Sequence, residues 1–114
     1  MSGQICFVAF ISPYAKDRNA AKEAHKAAGV SFVECHISAS LEVCEARDVK
    51  GLYAKARSGE LKNFTGVSDP YDVPESPELV VDTGVLSKEQ AESFVLKDLT
   101  DRGVLVQNNA SRVV

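Results

Sequence analysis

Ile5-Cys6-Phe7-Val8-Ala9-Phe10-Ile11 is a continuous apolar run that stops at Ser12-Pro13. An apolar run without polar alternation suits a strand covered on both faces, and such strands belong to parallel sheets with helices packed against them. The next segment agrees with this. Ala20, Ala21, Ala24, Ala27 and Ala28 recur at helical spacing over residues 15–28, with Lys16, Lys22, Glu23 and Lys26 elsewhere, and Gly29 follows as a stop. Residues 30–37 (VSFVECHI) are rich in β-branched and aromatic types and predict a second strand. Strand, helix, strand in that order implies parallel strands joined by a right-handed crossover, so the fold class is α/β.

The remainder extends the pattern. Ser40 can cap a short helix over residues 41–46, and the basic segment VKGLYAKARS (residues 49–58) predicts another, ended by Gly59. Over residues 62–77, Gly66, Pro70, Pro74 and Pro77 fall among Asp, Ser and Tyr, the composition of a long ordered loop or a mobile flap. ELVVD (residues 78–82) reads as a third strand. Ser87-Lys88-Glu89-Gln90 fits a capping box, the helix continues through residue 99, and Gly103 ends it. Residues 104–114 form a tail with an expected frayed end.

Composition bounds the function. A chain of 114 residues is one domain, and 13 Lys+Arg against 16 Asp+Glu give a net charge of −3, with a pI near 5.3. Bulk charge therefore does not favour nucleic acid, and any anionic ligand would be a small one. The 45% hydrophobic content suffices for a core. The longest apolar run is far below the roughly 20 residues of a membrane-spanning helix, and no basic segment precedes it as in a signal peptide. The expectation is a protein that is neither secreted nor membrane-bound. Cys6, Cys35 and Cys44 lie outside any Cys-x-x-Cys spacing, and only His25 and His36 could add imidazole, so neither disulfides nor a metal site is expected.

In open α/β sheets the ligand sits beyond the carboxyl ends of the strands. Here those ends are Ser12-Pro13-Tyr14, Ser38-Ala39-Ser40 and Thr83-Gly84. A hydroxyl and free helix amides near Ser12 suit a phosphate or sulfate, although a serine before proline is also an ordinary turn residue. Arg18 can grip phosphate or carboxylate with its planar fork, or pair with a solvent-side acid such as Asp17. Arg47, Lys50, Lys55 and Arg57 place four basic residues within eleven positions, either a solvated helix face or a lid that closes on a polyanion. Phe64 is either an anchor folded onto the core or a plate for stacking a base.

Taken together, these blocks resemble the adenylylsulfate kinase (APS kinase) family. The resemblance is carried by Phe10-Ile11-Ser12-Pro13-Tyr14 with Asp17-Arg18, Leu41-Glu42-Val43-Cys44-Glu45 with Arg47-Asp48, and Lys50-Gly51-Leu52-Tyr53 with Lys55-Ala56-Arg57 and Gly59-Glu60. It continues through Lys62, Phe64-Thr65-Gly66, Asp69-Pro70-Tyr71, Pro74, Pro77-Glu78-Leu79 and Asp82-Thr83-Gly84. It implies a parallel-sheet P-loop nucleoside-triphosphate hydrolase-like kinase fold, with residues 1–103 the C-terminal part of the domain and a lid at about 47–77. The implied activity, a step of sulfate assimilation, is ATP-dependent phosphorylation of the 3′-hydroxyl of adenylylsulfate to give 3′-phosphoadenylylsulfate. Ser12 would be the serine assigned in the family as a phosphoserine intermediate, although direct in-line transfer is the commoner view. Ser12 and the Ile11 backbone would border the adenylylsulfate pocket, with Arg18 as a further binding candidate. Lys50, with Gly51 and Leu52, would meet the phosphosulfate as the catalytic lid lysine. Phe64 would stack on the base, and Arg47 and Thr83 would lie at the ATP nucleotide.

Departures from the family pattern are equally legible. The family cradles ATP phosphates with a Gly-x-x-x-x-Gly-Lys-Ser/Thr loop and uses an Asp-Gly-Asp-Asn region, and neither occurs in this sequence. The resemblance implies that both precede residue 5, so that ATP and Mg2+ belong to a complete kinase and neither is expected on this chain alone. Ser38 stands where the family usually has aspartate, Ser40 stands where it has proline, and Lys22 replaces a common arginine. Two readings follow: part of an adenylylsulfate kinase, inactive by itself, or a non-catalytic nucleotide-binding or interaction module derived from one. A homodimer or pairing with the missing kinase half, and a cytoplasmic or plastid location, complete the expectations.

Overall fold

The computed structural model describes residues 4–105. Six elements follow in order: α1 (Ala15–Ala27), β1 (Cys35–Ser38), α2 (Leu41–Arg47), α3 (Leu52–Ser58), β2 (Leu79–Asp82) and α4 (Lys88–Asp101). The strands pair in parallel, Cys35 with Leu79 through Ser38 with Asp82. Leu79 N donates to Glu34 O (3.2 Å) and Thr83 N to Ser38 O (2.8 Å), continuing the ladder past both strand ends. The expected α/β class with parallel strands is therefore present. Its core is thin: among the described residues, Ala56, Leu79, Val81 and Leu99 are the buried hydrophobics, and Val81 alone is at 0% exposure. α4 packs on β2 and supplies Leu99 to that core.

Local chemistry accounts for the element boundaries. Ser40 Oγ accepts from Val43 N (3.2 Å) at the start of α2, as expected. Ser87 and Gln90 complete a reciprocal capping box on α4, with Gln90 N donating to Ser87 Oγ (3.1 Å) and Ser87 N to Gln90 Oε1 (2.8 Å). α3 begins at Leu52, three residues later than expected from residue 49. Asp48 (φ 29°) and Gly51 (φ 67°) both turn left-handed, which breaks the helix between α2 and α3.

The first expected strand is not formed. Residues 4–14 make no strand, and the apolar side chains of residues 5–11 face solvent, Phe7 at 70% and Phe10 at 81% exposure. A strand exists only through a hydrogen-bonded neighbour, and none among the described residues lies beside this run. The second strand is shorter than residues 30–37 for the same reason: only Cys35–Ser38 has β2 to pair with. The sheet has two strands where three were expected.

α1 also docks by an unexpected face. Its alanines at 20, 21, 24 and 27 are exposed, and the half-buried side is Ala15, Arg18, Lys22 and His25. Lys22 reaches Glu78 at 3.2 Å and Glu34 at 4.0 Å, and the His25 ring packs on Phe32 with centroids 4.8 Å apart. Ion pairs, hydrogen bonds to Asp72 and ring contacts with Phe32 and Tyr71, not alanine packing, hold this helix to the rest of the chain. The flap over residues 62–77 has a single bridge, Thr65 to Asp69. The expected frayed end of the tail falls mostly on residues 106–114, outside the described residues. No helix among the described residues is long and apolar enough to cross a membrane.

Candidate functional site

The register of the sheet brings the carboxyl ends of both strands side by side. Ser38 O accepts twice from Thr83, from the backbone N at 2.8 Å and from Oγ1 at 3.0 Å, so the two strand ends are tied together. Arg47, at the end of α2, donates from Nη2 to Thr83 O at 2.6 Å. A cleft of about 730 Å³ opens beside this group, bounded by Ile37 and Val81 of the sheet, Arg47, Thr83, and Lys88 and Ala91 of α4. Its size lies in the range of small-molecule sites, and apolar walls with a few fixed polar groups are what such sites require. Arg47 and Thr83, named from sequence as a nucleotide pair, stand together here. Ser38 offers no carboxylate at this point, and its carbonyl serves to lock Thr83.

The basic turn between α2 and α3 is built by Asp48. Its carboxylate accepts from Tyr53 N (2.9 Å, Oδ1) and Ala54 N (3.1 Å, Oδ2), two of the free amides at the start of α3. Lys50 is exposed at the tip of that turn, between the two left-handed residues, with half-buried Gly51 and Leu52 following. Arg57 pairs with Glu45 and ties α3 back to α2. Phe64 meets Tyr53 edge to face with centroids 5.0 Å apart. The aromatic in the flap thus leans on α3 while remaining half-buried. Burial holds the Tyr53 hydroxyl above its ordinary pKa, with Cys44, Glu45 and Asp48 adding to the shift.

Ser12 lies at the end of the apolar run with a φ of 43°, in the left-handed region. A serine there costs on the order of 1–3 kcal/mol unless its surroundings hold it. Arg18 does so: Nη1 donates to Ser12 O at 2.5 Å, Nη2 donates to Asp72 O, and Nε faces Glu34 at 3.3 Å. The fork that sequence alone offered to an anion is thereby engaged with the chain itself. Ile11, beside it, is 69% exposed. The site residues fall into three groups: Ser12 with Arg18, Arg47 with Thr83, and the turn of Lys50 with Phe64 on Tyr53. No hydrogen bond or ion pair between described residues joins Lys50 to Ser12.

Asp48 and Asp72 were not among the sequence candidates. Asp48 could have been found, since an acidic residue ahead of a glycine and a helical segment is a cap signal. Asp72 could not, because it caps α1 from 57 residues away. No group of three or more His, Cys, Asp and Glu is arranged for a metal among the described residues. The sequence contains no Gly-x-x-x-x-Gly-Lys-Ser/Thr loop to cradle a triphosphate and place Mg2+.

The class is a small α/β domain with a parallel sheet, a cleft beside the carboxyl ends of its strands and a basic turn next to it, an architecture consistent with part of a P-loop kinase fold. Within that class, the chain matches the adenylylsulphate kinase family over residues 1–82 and belongs to it. It is 49% identical over 109 residues to an adenylyl-sulfate kinase of Acaryochloris marina, a match covering 96% of this chain and 52% of that protein. It is 48% identical over 104 residues to the Geotalea daltonii adenylyl-sulfate kinase, covering 91% of this chain and 50% of that protein. Among solved structures, the Mycobacterium tuberculosis APS kinase in complex with AMPPNP and APS superposes with a TM-score of 0.71 at 43% identity. That superposition covers 79% of this chain and 51% of the neighbour. The chain thus spans about half the length of the relatives it matches.

Proposed function

We propose that this chain carries the adenylylsulfate-binding side and the lid of a kinase that phosphorylates the 3′-hydroxyl of adenylylsulfate with ATP, giving 3′-phosphoadenylylsulfate. The observation that carries the reading is the pairing of Arg47 with Thr83 at the mouth of an apolar cleft, beside a lysine-tipped turn fixed by Asp48. The M. tuberculosis neighbour, solved with an ATP analogue and APS, supports it.

In this reading Ser12 and the Ile11 backbone border the acceptor nucleotide, and Phe64 stacks on its base with Tyr53 behind it. Lys50, followed by Gly51 and Leu52, approaches the phosphosulfate. An ammonium brought there by lid closure stabilises negative charge most where water is excluded. Arg47 and Thr83 hold the ATP base. ATP supplies the transferred phosphoryl group, and Mg2+ neutralises the phosphates in such reactions. The sequence contains no Gly-x-x-x-x-Gly-Lys-Ser/Thr segment, so transfer needs the phosphate-binding part of a complete domain.

The test is a chimera in which this chain replaces the matching half of the Acaryochloris marina enzyme. With Mg-ATP and adenylylsulfate it should form 3′-phosphoadenylylsulfate. A folded chimera that binds ATP and leaves adenylylsulfate unphosphorylated would overturn the reading and favour a non-catalytic nucleotide-binding module.

A further inference from the structure

Among the described residues the most connected side chain is Arg18, at 9% side-chain exposure on a helix with no buried residue. Its guanidinium holds three partners from three segments: the carbonyl of Ser12, the carbonyl of Asp72, and the carboxylate of Glu34 ahead of β1. The Tyr71 ring lies 5.5 Å from the guanidinium carbon and stacks in turn on His36 of β1, centroids 6.1 Å apart. Asp72 answers the contact. Its N donates to Pro13 O at 2.8 Å, and its Oδ2 accepts from Ala15 N at 3.0 Å. That second bond caps α1, whose own N-cap residue, Tyr14, makes no side-chain cap bond.

Each residue of this pair therefore holds both the Ser12 turn and the far end of the flap. The geometry points to Arg18 and Asp72 as positioning residues that couple the turn at residues 12–15 to the flap at residues 62–77, so that the adenylylsulfate pocket and the flap become ordered together. The pocket in this statement rests on the function proposed above; the coupling itself does not. Three partners around one planar group require the guanidinium fork, because an ammonium on a flexible stem offers no such pre-set geometry. Serine at a positive φ then remains in place because Arg18 holds its carbonyl while Asp72 holds the next one.

The coupling is tested first on the 114-residue chain by amide hydrogen exchange. Arg18→Lys should speed exchange at Asp72, in the flap, and at Ala15, at the start of α1, together and by about tenfold or more. Asp72→Ala should expose the Ala15 amide, and Asp72→Asn, which keeps an acceptor oxygen and the backbone, should restore its protection. In the chimera, Arg18→Lys should raise KM for adenylylsulfate about tenfold and leave KM for ATP unchanged. Unchanged exchange at Asp72 in Arg18→Lys overturns the coupling, and so does a loss that falls equally on both substrates. If Arg18→Lys does not fold, Asp72→Ala and Asp72→Asn decide by the same readouts, and Ala15 protection unaffected by Asp72→Ala overturns the coupling. An inactive parent chimera with the exchange changes present would remove the functional reading and leave the coupling standing.

Discussion

Replacing Asp48 with alanine removes the side chain that caps the first amides of α3 and keeps a β-carbon at a positive φ. The carboxylate holds two amides, Tyr53 N at 2.9 Å and Ala54 N at 3.1 Å. Loss of an N-cap costs about 0.5–2 kcal/mol, while the strain of a β-carbon at this φ is already carried by the aspartate and is common to both proteins. α3 has seven residues and a single buried one, Ala56, so it has little packing to resist that loss. That loss should speed exchange of the Tyr53 and Ala54 amides by about 2–30-fold at 1.4 kcal/mol per tenfold. Asp48→Gly separates the two contributions, because glycine relieves the φ and loses only the cap, for about 1 kcal/mol less damage. Amide exchange read residue by residue on the three proteins is the assay. Unchanged rates at Tyr53 and Ala54, or a glycine variant as damaged as the alanine one, would refute the assignment of Asp48 as the residue that holds the turn between α2 and α3.

Further expectations follow from other parts of the molecule. In the chimera, Phe64→Ala should raise KM for adenylylsulfate and not for ATP, since a stacking plate is worth roughly 1–3 kcal/mol per base; Lys50→Ala should lower kcat as well. A rise confined to KM for ATP would place Phe64 in the other pocket. Val81 of β2, fully buried, should cost about 2 kcal/mol when cut to alanine, read as a lower urea midpoint. The raised pKa of Tyr53 gives an alkaline dependence: the folded chain keeps a proton that the unfolded chain releases, so stability is whole below the ordinary tyrosine value of 10.0 and falls as pH climbs through and above it. Urea midpoints at pH 8 and 10.5 should show this fall, and Tyr53→Phe should lessen it; an equal or higher midpoint at pH 10.5 contradicts it.

The sequence disclosed what is local. Ser40, Gly59, Ser87 and Gln90 mark their helix ends because a cap or a stop is a bond within a few residues, and all four occupy the expected places. Residues 5–11 misled because apolar content reports what a segment needs, not whether a neighbour exists to supply it. The alanines of α1 misled likewise: their periodicity is real, yet the docked face is the one that finds Glu34, Glu78 and Phe32. In the candidate site, Arg47 and Thr83 are residues that the family resemblance puts at one nucleotide, and they lie together. The clasp of Arg18 on Asp72 spans 54 residues and has no signature in either segment. Lys50 could be named as a lid residue, but the turn that presents it depends on left-handed angles at Asp48 and Gly51, of which only the glycine is suggested by residue type.

We propose that this chain supplies the acceptor side and lid of an adenylylsulfate kinase, and its sequence contains no Gly-x-x-x-x-Gly-Lys-Ser/Thr segment to hold the ATP phosphates. The most direct measurement is formation of 3′-phosphoadenylylsulfate from adenylylsulfate and Mg-ATP by the purified 114-residue chain, free of other kinases, beside the chimera. Positioning and charge stabilisation of the phosphates carry nearly all of phosphoryl-transfer catalysis, so the chain alone should give no product while the chimera turns over. Turnover by the chain alone would contradict the account.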